Sequence, residues 1–189
     1  MNVIPTEIDG VVILEPKVFG DARGYFFESW NEAELAAAGI HARFIQDNES
    51  KSRFGVLRGL HYQAPPCTQA KLVRVICGAV LDVAVDIRKG SPTFGRHVAV
   101  ELSGENKRQL FVPRGFAHGF VVLSDEVIFA YKCDNRYSPP HERGIAFDDP
   151  KLGIDWRVKV DSFILSPKDT RNPRLADAEL FDFNEMKQG

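Results

Sequence analysis

The sequence predicts a mainly β fold, an antiparallel sandwich or barrel, with a short N-terminal helix and short helical turns near the C-terminus. Short stretches rich in Val, Ile and Phe recur at roughly ten-residue spacing, each ended by Gly, Pro, Asn or Ser. One segment alone carries a full set of helix signals. In residues 80–88, Leu81, Val83, Val85 and Ile87 alternate with a face that carries Asp82, Asp86 and Arg88, the period of a strand.

The elements follow in order. VVILEPKVF (11–19) opens the strand series. WNEAELAAAGI (30–40) is the helix: Asn31 is its N-cap candidate, Glu32 and Glu34 stand in its first turn, and Gly39 stops it. FIQDNESKS (44–52), KLVRVICG (71–78), VLDVAVDIR (80–88), HVAVEL (97–102), QLFVP (109–113), GFVVLS (119–124) and VIFAYKC (127–133) are strands. In 80–88, Leu81, Val83, Val85 and Ile87 share one face, and Asp82, Ala84, Asp86 and Arg88 the other. The plain expectation is apolar inside and polar outside; the alternative is a barrel with a polar interior. Near the C-terminus, Ser166 followed by Pro167 and Asp169 reads as a capped helical turn.

Length and composition set bounds. A chain of 189 residues with 44% hydrophobic and 26% charged residues suits one domain over 1–189, its last part from about 150 an extension of the strand region. A net charge of −2 argues against a nucleic-acid binder driven by bulk charge. Cys67, Cys77 and Cys133 are odd in number and lack C-x-x-C spacing, which suits reduced thiols in the cytoplasm. The N-terminus carries no basic-then-apolar leader, and no apolar run reaches the roughly 18–20 residues that span a bilayer, so no membrane association is expected.

VLRGLHYQ (56–63) puts Arg58 and His61 among residues of a buried strand. Being three apart, the two should face opposite ways. Gly59 between them offers a bulge that would turn both into one cavity; otherwise Arg58 lies on the outer face, solvated.

PRGFAH (113–118) resembles the second motif of the cupin barrels, P-x-G-x-x-H, whose histidine points inward. The first cupin motif, G-x5-H-x-H followed by a glutamate, is matched only at Gly55 and His61. Gln63 takes the second histidine position, and Cys67 and Thr68 stand where the glutamate belongs. His61 and His118 alone fall short of the three protein ligands a catalytic divalent ion takes. A cupin-like jelly roll without a metal is therefore expected, its histidines free for acid–base work.

A larger set of motifs is more specific. DARGYFFES (21–29), FIQDNES (44–50), GVLRGLHYQ (55–63), KLVRV (71–75), DVAVDIRKGSPTFG (82–95), PRGFAHGFVVLS (113–124), Tyr131 with NRYSPPHE (135–142), IDWRV (154–158) and LSPKD (165–169) together resemble the dTDP-4-dehydrorhamnose 3,5-epimerases. The likeness runs from about residue 3 to about residue 175.

What the resemblance implies is chemically coherent. The substrate would be dTDP-4-dehydro-6-deoxy-D-glucose, whose C4 ketone acidifies the hydrogens on C3 and C5 through enolates. Inversion needs a base on one face, a proton donor on the other and a cation or donor at the enolate oxygen; no cofactor is implied. The resemblance makes His61 the base and Asp169 its partner, Tyr131 the donor and Lys71 the enolate stabiliser, with Asp82 supporting Lys71 or the His61–Asp169 pair. It makes Arg23, Phe26, Glu28, Gln46, Asp47, Asn48, Arg58, His118, Tyr137, Glu142 and Lys168 substrate contacts, with Tyr137 stacking on thymine. The family's dimers exchange N-terminal strands, so within 1–50 Arg23, Phe26 and Glu28 would serve a neighbouring subunit. Plainer readings stand beside each: a core histidine for His61, a capping role for Asp169, a core aromatic for Tyr131, a strand-end lysine for Lys71. Rival functions are a C3-only or C5-only epimerase, a ketoisomerase on the same sugar, and a non-catalytic sugar-binding cupin.

Overall fold

The computed structural model describes residues 1–182; the last seven residues of the expected C-terminal extension, 183–189, lie outside that range. In chain order the strands are β1 (Asn2–Pro5), β2 (Val12–Glu15), β3 (Phe19–Asp21), β4 (Gly24–Phe26), β5 (Gln46–Arg53), β6 (Leu57–Gln63), β7 (Lys71–Cys77), β8 (Ala79–Asp86), β9 (Arg88–Lys89), β10 (His97–Ser103), β11 (Gln109–Val112), β12 (Phe116–Val122), β13 (Glu126–Cys133), β14 (Glu142–Gly144) and β15 (Phe181–Asp182). The helix α1 is Glu32–Ala37, and the C-terminal helical segments are 3-10 turns at Val160–Ser162, Asp169–Arg171 and Leu175–Asp177. Asn31 caps α1 as expected, its side-chain oxygen accepting the Glu34 N–H at 3.2 Å. α1 seats Leu35 among Leu14, Leu72 and Phe111, covering part of the outer face of one sheet.

Two antiparallel sheets face each other as a jelly roll. The larger runs β1-β2-β11-β7-β13-β5 and the smaller β10-β8-β12-β6-β14. β1 and β2 extend the chain's own large sheet, whereas β3 and β4 pair only with each other among the described residues. One end of the space between the sheets is filled by an apolar core including Val75, Val80, Val98, Leu102, Leu110 and Val122. The other end is left open for the site.

The alternation in 80–88 resolves against the plain expectation. Leu81, Val83, Val85 and Ile87 are buried, but on the outer face of the smaller sheet, under Ile145 just after β14 and Leu152, Trp156 and Leu175 of the C-terminal extension. Burying each such side chain contributes roughly 1.5–3 kcal/mol, which explains why a long extension wraps that face. Asp82 and Ala84 point between the sheets, and Asp82 is 0% exposed. A period of two says that two faces differ; it does not say which one is inside.

Gly59 makes the bulge. His61 pairs with His118 and Arg58 with Phe120, so β6 spends two residues where β12 spends one. Gly59 has φ 142, and a Cβ there would lie 2.5 Å from the Cα of Gly119. The register reset turns Arg58 and His61 to the same cavity.

Candidate active site

At the open end lie two adjoining cavities of about 520 and about 360 Å³, the size of small-molecule sites. His61, Lys71, Tyr131 and Glu142 line both, making them two lobes of one site. The larger lobe adds Arg58, His118, Lys168 and Asp169; the smaller adds Gln46, Asn48, Gln63, Gln69, Cys133 and Tyr137.

His61, on β6, meets Asp169 with its Nε2 at 2.5 Å from Oδ1. Asp169 comes from the 3-10 turn 108 residues later and is 4% exposed. Ser166 Oγ makes the bonds expected of a cap, accepting the Asp169 N–H at 3.2 Å and donating to Asp169 Oδ2 at 2.7 Å, although the 3-10 turn itself starts only at Asp169 and Lys168 before it gives no side-chain cap. Asp169 is therefore both cap partner and histidine partner. Burial alone would raise its carboxyl pKa, but the hydrogen bonds from His61 and Ser166 outweigh that and hold it below the usual aspartate range. An ionised Asp169 accepts a hydrogen bond from Nε2–H, so Nδ1 presents its lone pair; Nδ1 has no partner among the described residues.

The opposite wall belongs to the larger sheet. On β13, Tyr131 stands beside Phe129, ring centroids 6.0 Å apart, and its hydroxyl has no hydrogen-bond partner among the described residues. Burial pushes that hydroxyl's pKa up, with Cys133 and Glu142 adding to the rise and Arg58 opposing it, so the tyrosine keeps its proton at neutral pH. Lys71 opens β7 facing Cys133 in register. Its ammonium makes no ion pair among the described residues, and burial pushes its pKa down against the pull of Cys133, Asp82 and Glu142. Burial also pushes the Cys133 thiol up to about 11, leaving it protonated.

The remaining expected residues divide. Arg58 reaches across to β5, donating to Ser52 Oγ from Nε at 3.3 Å and Nη2 at 3.2 Å. Glu142 pairs with Lys168 and accepts from the Tyr137 hydroxyl at 2.7 Å. Burial raises the Glu142 pKa, yet Lys168 and Tyr137 bring it below the usual range. Gln46 and Asn48 bond each other at 2.9 Å within the smaller lobe. Asp82 meets His118, both carboxylate oxygens lying 2.9–3.0 Å from Nε2. It therefore makes no hydrogen bond to the His61–Asp169 pair, and it reaches Lys71 only through space.

Four expected contacts are not brought to this chain's cavity. Strand alternation turns Asp47 to the other face of β5, where Lys132 donates to it at 2.7 Å. Arg23, Phe26 and Glu28 belong to the β3–β4 hairpin and the residues after it. Arg23 pairs with Asp21 and its side chain is 90% exposed, Phe26 is 66% exposed, and Glu28 accepts from Asn31 at 3.3 Å.

Sequence reasoning missed Ser52 and Gln69 and read Gln63 only as a lost metal ligand. Gln63 is 5% exposed, donating to the carbonyls of Cys67 at 2.6 Å and Arg136 at 3.0 Å and accepting from the Ser138 N–H at 2.6 Å. Its partners are backbone groups in loops, for which spacing gives no signal. Among the described residues no cluster of three or more His, Cys, Asp or Glu side chains could hold a metal ion.

Residues 5–177 match the family model described as dTDP-4-dehydrorhamnose 3,5-epimerase. The chain is 57% identical over 182 residues to the dTDP-4-dehydrorhamnose 3,5-epimerase of Shigella flexneri, covering 96% of this chain and 99% of that protein. A crystal structure of dTDP-6-deoxy-D-glucose-3,5-epimerase from Legionella pneumophila, in complex with dTDP-4-keto-L-rhamnose, superposes with a TM-score of 0.93 at 52% identity, covering 96% of this chain and 98% of that one. A 3′-monoepimerase from Streptomyces bikiniensis, in complex with dTDP-quinovose, gives a TM-score of 0.92 at 34% identity, covering 98% of this chain and 96% of that one.

Proposed function

The chain belongs to the dTDP-4-dehydrorhamnose 3,5-epimerase family, and from that premise we propose how its residues invert C3 and C5 of dTDP-4-dehydro-6-deoxy-D-glucose to give dTDP-4-dehydro-L-rhamnose. The observation that carries the reading is the His61–Asp169 bond at 2.5 Å on one wall of a cavity whose other wall offers a Tyr131 hydroxyl and a Lys71 ammonium, both unpaired among the described residues.

His61 Nδ1 removes the proton from the carbon next to the ketone, and Asp169 stabilises the imidazolium that results. Charge moves to the C4 oxygen, where the Lys71 ammonium meets it. Tyr131 returns a proton from the opposite face, inverting the carbon. Once His61 has released its proton to solvent and the Tyr131 phenolate has regained one, the same steps follow at the second carbon. These steps need protons and a cation only, and no added cofactor.

Arg58 and Lys168 suit the diphosphate, and Tyr137 suits the thymine ring. Gln46, Asn48, His118 and Glu142 complete the lining. The protein acts as a homodimer in the cytoplasm, one protomer's β3–β4 hairpin bringing Arg23, Phe26 and Glu28 to the partner's cavity. Exposed Phe19, Tyr25 and Phe26 support that reading, since such aromatics are costly to leave in water; no described helix is long and apolar enough to cross a membrane.

Incubation with dTDP-4-dehydro-6-deoxy-D-glucose in deuterated water, followed by NMR, tests the activity. Deuterium is expected at both C3 and C5 of the product trapped by an added reductase. Label at one carbon alone would make this a mono-epimerase.

A further inference from the structure

Tyr137 stands on residues 135–138, a segment without helix or strand structure, and is 53% exposed. A loop this open would lose conformational freedom on closing over a ligand, at a cost in affinity. Here its main chain is already gripped. Gln69 Nε2 donates to the Asn135 carbonyl at 2.7 Å, and Gln63 Nε2 to the Arg136 carbonyl at 3.0 Å. Gln46 Oε1 accepts the Tyr137 N–H at 3.1 Å, and Gln63 Oε1 the Ser138 N–H at 2.6 Å. Four consecutive residues are thus held through backbone groups by three carboxamides.

The three glutamines come from different places: β5 of the larger sheet, β6 of the smaller, and the connection between β6 and β7. The loop is thereby tied to both walls of the site. All three line the smaller lobe together with Tyr137. A carboxamide offers two donor protons and an acceptor oxygen from one planar group, a set no other side chain of this reach supplies. A glutamate at 63 would face two carbonyls with no proton to give, and a histidine could not serve the three partners.

We propose that Gln63 and Gln69 are positioning residues which, with Gln46, preset Tyr137 for stacking on the nucleoside half of the substrate. They act on nucleotide affinity and not on proton transfer. The proposal rests on the reading of Tyr137 as the stacking residue.

The test is titration of dTDP into the full-length protein and its Gln63→Met, Gln69→Met and Tyr137→Ala variants, with kcat and KM for the 4-keto sugar. Losing the two bonds from Gln63 to the loop should weaken dTDP binding about tenfold, and losing one at Gln69 about threefold. KM should rise in step while kcat stays within about threefold. In a Tyr137→Ala background, Gln63→Met should add almost nothing, because the clamp acts through that ring.

Wild-type dTDP affinity in Gln63→Met and Gln69→Met, with weakened binding in Tyr137→Ala, would overturn the clamp and leave the stacking reading standing. Wild-type affinity in Tyr137→Ala would overturn the stacking reading and the clamp with it. Additive losses, or a fall in kcat with affinity intact, would also overturn the proposal. If Gln63→Met fails to fold by circular dichroism, Gln69→Met carries the test, since Gln69 is partly exposed and makes one such bond.

Discussion

His61 and His118 face each other in the register of β6 and β12, and each has a ring nitrogen on an aspartate. The pairs are built differently. Asp82 lies on the strand next to His118, and both are almost fully enclosed, at 0% and 7% side-chain exposure. Asp169 reaches His61 from a turn outside the sheets, and the His61 side chain is 28% exposed. The enclosed pair fixes a ring within the barrel wall. The half-open pair holds one nitrogen and leaves the other to the cavity. Two similar contacts thus serve different ends, set by where the carboxylate comes from and how much water reaches the ring.

The comparison can be broken from the enclosed side first. Asp82→Ala leaves a ring nitrogen of His118 without its hydrogen-bond partner in a dry position, and an unsatisfied buried polar group typically costs about 1–3 kcal/mol. Urea denaturation should show a loss of that size, with exchange turnover of the folded fraction within about tenfold of wild type. A catalytic loss larger than the stability loss would merge the two pairs into one function.

Asp169→Asn should do the reverse, costing roughly a hundredfold in C3 and C5 exchange. It also changes the acid limb of stability. The Asp169 pKa is lowered from its ordinary 3.8, so its contribution is fully present above 3.8 and is lost as pH falls through the lower folded value. Denaturation curves at acid pH should show the variant losing less stability than wild type across that window.

Tyr131→Phe sharpens the comparison across the cavity. It removes a donor from the opposite wall and leaves His61 and Asp169 alone, so hydrogen should still exchange with solvent. Net inversion should fall by about tenfold or more, read by NMR as label appearing in unconverted substrate. Equal loss of exchange and inversion would remove Tyr131 from the donor role.

Much of this was legible in the sequence, for identifiable reasons. The capped helix and the strands follow from local chemistry. Gly59 betrayed the bulge because no other residue fits φ 142 with Gly119 so close. His61 and Asp169 came together only through a motif set, since nothing local links residues 108 apart. Three things stayed hidden. The inward face of β8 depended on the extension that covers the outer face. The partner of Asp82 depended on the register between β8 and β12. The work of Gln63 lies in backbone groups of two loops, which leave no mark in residue spacing.

The central claim is that His61, and not His118, is the base. Isotope exchange at C3 and C5 in deuterated water should be compared for folded His61→Asn and His118→Asn. His61→Asn is expected to lose both exchanges by about a thousandfold or more, and His118→Asn to keep them within about tenfold. Near-normal exchange in His61→Asn, or its loss in His118→Asn alone, would contradict the assignment.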